Sequence, residues 1–99
     1  MGAAGERVAA QWLAHQGLQI LARNAAVDDG EVDLLAVDGT RRVAIEVRTI
    51  TGPGDPIDAV STIKRRRVRR LGAMAGASRV DYIGVGIRDW GVEIHWLPG

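Results

Sequence analysis

Apolar and polar positions alternate along this chain in two rhythms, one of about 3.6 residues and one of two. Over residues 3–16, Ala9, Ala10 and Leu13 share one arc when successive residues are placed about 100° apart, which predicts a helix. Gly17 follows at the place where a helix-ending glycine is expected. Residues 18–23 read as a strand, and 31–37 and 42–49 as two more, joined through Asp38-Gly39. The run 51–56 holds Gly52, Pro53, Gly54 and Pro56, which cannot continue a central strand and predicts a loop. A second helix is predicted over about 58–75, ended by Gly76. Strands 80–87 and 92–97 close the chain through Asp89-Trp90-Gly91. The order α-β-β-β-α-β-β predicts an α/β fold, a mixed sheet flanked by helices rather than a regular βαβ repeat.

Several charges interrupt this pattern. Glu6 falls in the middle of the first helix's apolar arc, and the plain alternative is an exposed first turn where the helix dipole favours a carboxylate. On the second helix, Lys64 and Arg67 lie within the arc centred by Val60, Ile63, Leu71 and Met74, whereas Arg65, Arg66, Arg69 and Arg70 point away as a solvated face. Glu46 and Arg48 are two apart on a strand whose other face carries Val43, Ile45 and Val47. A four-residue loop from Asp38 to Arg41 sets Asp33 directly opposite Glu46, and a two-residue loop makes them diagonal neighbours. Either register gathers two like charges, which destabilise a sheet unless a cation compensates them. A divalent metal such as Mg²⁺ or Mn²⁺ suits carboxylate oxygens. The alternative is a metal-free salt bridge to Arg48 or Lys64.

Composition narrows the setting. With 99 residues the chain is expected to be a single domain, and its 46% hydrophobic and 25% charged residues are the balance of a globular protein. No apolar run reaches the roughly 18 residues that a membrane helix needs. The first residues lack an apolar stretch of the secretory kind, and there is no cysteine, so the cytoplasm is the expected compartment. A net charge of +1 conceals an asymmetry. Lys64, Arg65, Arg66, Arg67, Arg69 and Arg70 hold six of the thirteen basic residues, and the remainder carries seven basic against twelve acidic residues, a net of −5. One basic patch on an acidic body points to a polyanionic partner. His15 and His95 have no second ligand at metal spacing and read as structural. Trp12, Trp90 and Trp96 read as packing or interface residues.

Taken in order, Gly5-Glu6 opening a helix, Arg23-Asn24 ending a strand, Gly30-Glu31-Val32-Asp33-Leu34-Leu35, Ile45-Glu46-Val47-Arg48, Ala59-Val60 and Lys64 resemble the YraN family of uncharacterised bacterial proteins. That family looks like a member of the restriction-endonuclease-like superfamily, which also holds archaeal Holliday-junction resolvases. The resemblance implies a PD-(D/E)xK nuclease fold with Asp33 and Glu46 as metal ligands and Glu6 as a supporting acid. Arg48 stands at the superfamily's lysine position, and Lys64 matches the family's lysine in the second helix. The arginine matters chemically. A guanidinium stays protonated and cannot act as a base, but it can hold a phosphate and stabilise its developing charge.

Three functions follow as expectations. The first is a Mg²⁺- or Mn²⁺-dependent endonuclease with Glu6, Asp33, Glu46, Arg48 and Lys64 in its catalytic site. It would grip DNA through Lys64, Arg65, Arg66, Arg67, Arg69 and Arg70 and select branched or flap structures over sequence, because no base-reading motif is present. The second is a DNA-binding module that has lost turnover at Arg48. The third is a protein-interaction domain, such as a homodimer through the last strand with its Trp96.

Overall fold

The computed structural model describes residues 2–27, 30–52, 69–73 and 75–99. Helix α1 (Gly2–His15) leads into strands β1 (Gln19–Val27), β2 (Gly30–Asp38) and β3 (Arg41–Thr51); a helical segment at 69–73, labelled α2, precedes β4 (Arg79–Arg88) and β5 (Gly91–Leu97). The five strands form one sheet in chain order, with β3 and β4 parallel and the other neighbours antiparallel. This is the α/β mixed sheet with helices, in the order α-β-β-β-α-β-β, that the pattern predicts. The loop expected after Gly52 and most of the second helix lie outside the described residues.

Both helices stop in the same way. The Leu18 amide donates to the Leu13 carbonyl and the Gly17 amide to Ala14, while Ala77 and Gly76 donate to Gly72 and Ala73. Gly17 and Gly76 have φ of 103° and 82°, the left-handed conformation that such double-bonded helix ends require.

Strand alternation assigns the two sheet faces. Ala9, Leu13 and Leu18 pack with Leu34, Val43, Ile45, Ile83 and Val85 on the α1 face. Val32, Ala44 and Leu71 form a smaller core on the other face, where Gly72 sits so close to Ala44 that an added Cβ would lie 2.9 Å from the Ala44 Cβ. Complete burial of a Leu or Ile side chain contributes about 1.5–3 kcal/mol, so Leu13, Leu34, Ile45 and Ile83 supply much of what holds α1 on the sheet.

The longest departure from expectation is β1, which continues through Arg23 to Val27 instead of ending there. Asn24 interrupts it with φ of 53°, a conformation that asparagine tolerates better than most residues. The tryptophans also divide. Trp12 and Trp96 meet edge to face with centroids 5.7 Å apart, but Trp90, at the β4–β5 turn, is 75% exposed and packs as neither core nor cover. Trp96 is engaged within the chain, since its Nε1 also donates to Asp81.

Candidate active site

Two of the carboxylates singled out above, Glu6 and Asp33, are electrostatic neighbours where β2 and β3 part, and Glu46 stands on β3 at the level of Asp33. The hairpin turns on Gly39 and Thr40, with Asp38 paired to Arg41, and its ladder runs to Leu34 opposite Ile45. Asp38 and Arg41 belong to the strands rather than to the loop, yet the register is the one that puts Asp33 across from Glu46 at the next rung. Asp33 does not continue the backbone ladder there. Its Oδ2 accepts a 2.8 Å hydrogen bond from the Val47 amide, so the side chain occupies the gap between the strands.

This point is also a change of face. Val32 and Leu34 are two residues apart but join the cores on opposite sides of the sheet, so β2 departs from simple alternation at Asp33. On the neighbouring strand, left-handed Asn24 falls between the pairs Arg23–Leu34 and Ala25–Val32, at the same level as Asp33. A local irregularity of this kind re-aims side chains, as bulges beside functional sites do.

Helix α1 delivers the third acid. Glu6 is only 7% exposed, which excludes the solvated first turn as its environment. Burial pushes its carboxyl above the usual glutamate range, and the negative charge of Asp33 and then of Glu31 pushes the same way; a hydrogen bond from Asn24 and the charge of Arg23 pull it down. Glu6 and Asp33, twenty-seven positions apart in sequence, are therefore electrostatic neighbours. Glu46 is 6% exposed and shares its strand face with Ala44, on the side of β3 opposite α1. Arg48, on that same face, is exposed.

A raised carboxyl pKa means that protonation favours the folded state, so ionised Glu6 costs stability at neutral pH and the cost disappears below the unfolded glutamate pKa of about 4.3. Glu6→Gln is accordingly expected to raise the melting temperature by a few degrees at pH 7 and to leave it unchanged near pH 3.5, as followed by circular dichroism. An equal effect at both pH values would mean that packing, not charge, is responsible.

Among the described basic residues, Arg69 and Arg70 are exposed on α2, as expected of a solvated face. Lys64, Arg65, Arg66 and Arg67 lie outside the described residues. Asn24 and the Val47 amide were not among the expected site residues. The first could be suspected from an asparagine within an otherwise strand-like run, whereas the second has no side-chain signature at all. No described helix is long and apolar enough to cross a membrane.

A family model described as "Uncharacterised protein family UPF0102", the YraN family, matches residues 5–85. The chain belongs to this family. A UPF0102 protein of Leifsonia xyli subsp. xyli is 40% identical over 111 residues, covering all of this chain and 93% of its own. A Mycobacterium ulcerans UPF0102 protein is 43% identical over 112 residues, covering all of this chain and 92% of its own. One from Beutenbergia cavernae is 47% identical over 75 residues, covering 74% of this chain and 64% of its own. The UPF0102 match takes in Glu6, Asn24, Asp33, Glu46 and Arg48 together.

Proposed function

We propose that this UPF0102 chain is a single-domain, cytoplasmic, divalent-metal-dependent phosphodiesterase of the PD-(D/E)xK type that acts on DNA by shape rather than sequence. The observation that carries the reading is the meeting of Glu6 and Asp33 from separate elements at the point where β2 and β3 diverge, one rung from buried Glu46. Carboxylates kept together in a partly buried place, against their mutual repulsion, are the arrangement expected where a cation neutralises them.

The donors fit such an ion. Asp33, Glu46 and Glu6 offer only oxygen, which suits Mg²⁺ or Mn²⁺. Among the described residues no three acidic or imidazole groups stand close enough to form a cage, so waters would have to fill most of the ion's positions. When bound, the ion supplies Lewis-acid polarisation of a phosphate oxygen and a more acidic water. Asp33 and Glu46 would hold it. Glu6, with its raised proton affinity, is placed to take up or hold a proton at its carboxylate. Exposed Arg48 would grip a phosphate oxygen without acting as a base.

Calorimetric titration of Mn²⁺ tests the reading. The parent is expected to bind and the Asp33→Ala, Glu46→Ala double variant is not; in a screen with branched and flapped DNA, Asp33→Ala should lower cleavage by about a hundredfold or more. Absence of Mn²⁺ binding by the parent would remove the metal from the account. Arg48 favours a second reading, a DNA-binding module without turnover. Cleavage gained by Arg48→Lys over an inactive parent would support it.

A further inference from the structure

A cavity of about 590 Å³ lies between α2, the start of β4 and the end of β5, and has no place in the carboxylate site. Its volume is in the range of ligand pockets. The floor is apolar, from Ala73, Val80 and Leu97, and the rim carries Arg41 and Arg69. These two cations differ from the third arginine there. Arg79 is committed to Asp38 at 2.9 Å and to Asp81 at 2.9 Å, and its guanidinium is held above its usual proton affinity chiefly by the Asp81 hydrogen bonds. Arg41 makes only a long 3.4 Å bond to the Ser78 carbonyl, and Arg69 makes no ion pair with a described residue. Among the described residues no carboxylate answers these two guanidiniums over the apolar hollow.

An occupant that fits brings an anion and an apolar group in one unit. A lone carboxylate side chain supplies the first without the second. A nucleotide supplies both, with its phosphate suited to a guanidinium fork and its base to an apolar or guanidinium surface. Position supports the same occupant. Tyr82 lines the cavity and pairs with Glu46 across the β3–β4 ladder, so the pocket begins one strand away from a proposed metal ligand. We propose that this pocket receives one unpaired nucleotide of a DNA strand, its base against Val80 and Leu97 and its phosphate between Arg41 and Arg69. The proposal rests on the DNA reading above and deepens it, because it selects flaps and branches over plain duplex.

The experiment is fluorescence anisotropy with the full chain and EDTA present, comparing a blunt duplex with the same duplex carrying a short thymidine flap. The flapped DNA is expected to bind about tenfold more tightly, roughly one charge-assisted contact with base burial. Arg41→Ala and Leu97→Ser, both at exposed positions, should abolish that preference while leaving blunt-duplex affinity within about twofold. Equal binding of the two DNAs by the parent, or an unchanged preference in both variants, overturns the pocket and leaves the DNA reading standing. Binding of neither DNA overturns both, and binding of an acidic peptide alone would assign the pocket to a protein partner.

Discussion

Replacing Asp81 by alanine is expected to cost about 3–5 kcal/mol of folding stability, measured by urea denaturation at pH 7. Asp81 is completely buried, and it is surrounded by donors. Arg79 contributes Nε at 2.9 Å and Nη2 at 3.0 Å, Trp96 its Nε1 at 3.0 Å, and Gly99 its backbone amide at 2.8 Å. One carboxylate therefore ties the start of β4 to β5 and to the residues after it. Arg79 reaches on to Asp38 in the β2–β3 hairpin, so the tie spans four strands. Alanine would strand the indole N–H and leave Arg79 with a single acid. Asp81→Asn should do little better, because an amide must turn its own N–H groups toward some of these donors. The carboxylates of Glu6 and Asp33 lie elsewhere, so Mn²⁺ binding by the folded fraction should persist. A loss below about 1 kcal/mol would show that water replaces the carboxylate at little cost.

The sequence pattern was most informative where one interaction dominates. Helix ends were legible because Gly17 and Gly76 are the residues that adopt the left-handed caps. The β2–β3 hairpin was legible from Asp38-Gly39, whereas its register was left open between two alternatives, and the ladder settles on the one that brings Asp33 level with Glu46. Glu6 stood out because a carboxylate in an apolar arc needs a reason, and it is buried with the charge of Asp33 acting on it. What remained hidden depends on pairs distant in sequence. Asp81 looks like any strand residue until Arg79, Trp96 and Gly99 close around it. Strand β1 runs past Asn24 because its partner β2 supplies ladder bonds that local propensity does not foresee. Of the two roles expected for Trp90, packing and interface, the fold excludes the first. Large aromatics are usually buried, and only the tight Arg88–Gly91 closure at the turn shows why this one projects outward.

Gly5→Ala is expected to cost less stability than loss of Asp81 but to act on the site as well as the fold. Helix α1 crosses β3 at this residue with no room for a side chain. A Cβ placed on Gly5 would meet Thr49 Oγ1, with the Thr49 Cβ at 3.0 Å and Cγ2 at 3.3 Å. Rotation about χ1 of Thr49 can turn its Hβ toward the new methyl, but the Thr49 Cβ itself stays at 3.0 Å. Thr49 leaves its rotamer and the helix shifts off β3, at a cost of about 1–3 kcal/mol, partly offset because alanine is the better helix former. Glu6 is the next residue, so the same movement separates it from Asn24 and Asp33 and admits water. Its carboxyl pKa, followed by NMR, should fall toward the ordinary glutamate value, and Mn²⁺ affinity should drop together with stability. Thr49→Ala in the same chain removes Oγ1 and Cγ2 but keeps the Cβ, so it should recover part of both losses. Recovery of stability without recovery of the Glu6 shift would separate helix packing from site assembly. Recovery of both would make the glycine crossing the contact that sets the distance between the helix acid and the strand acid.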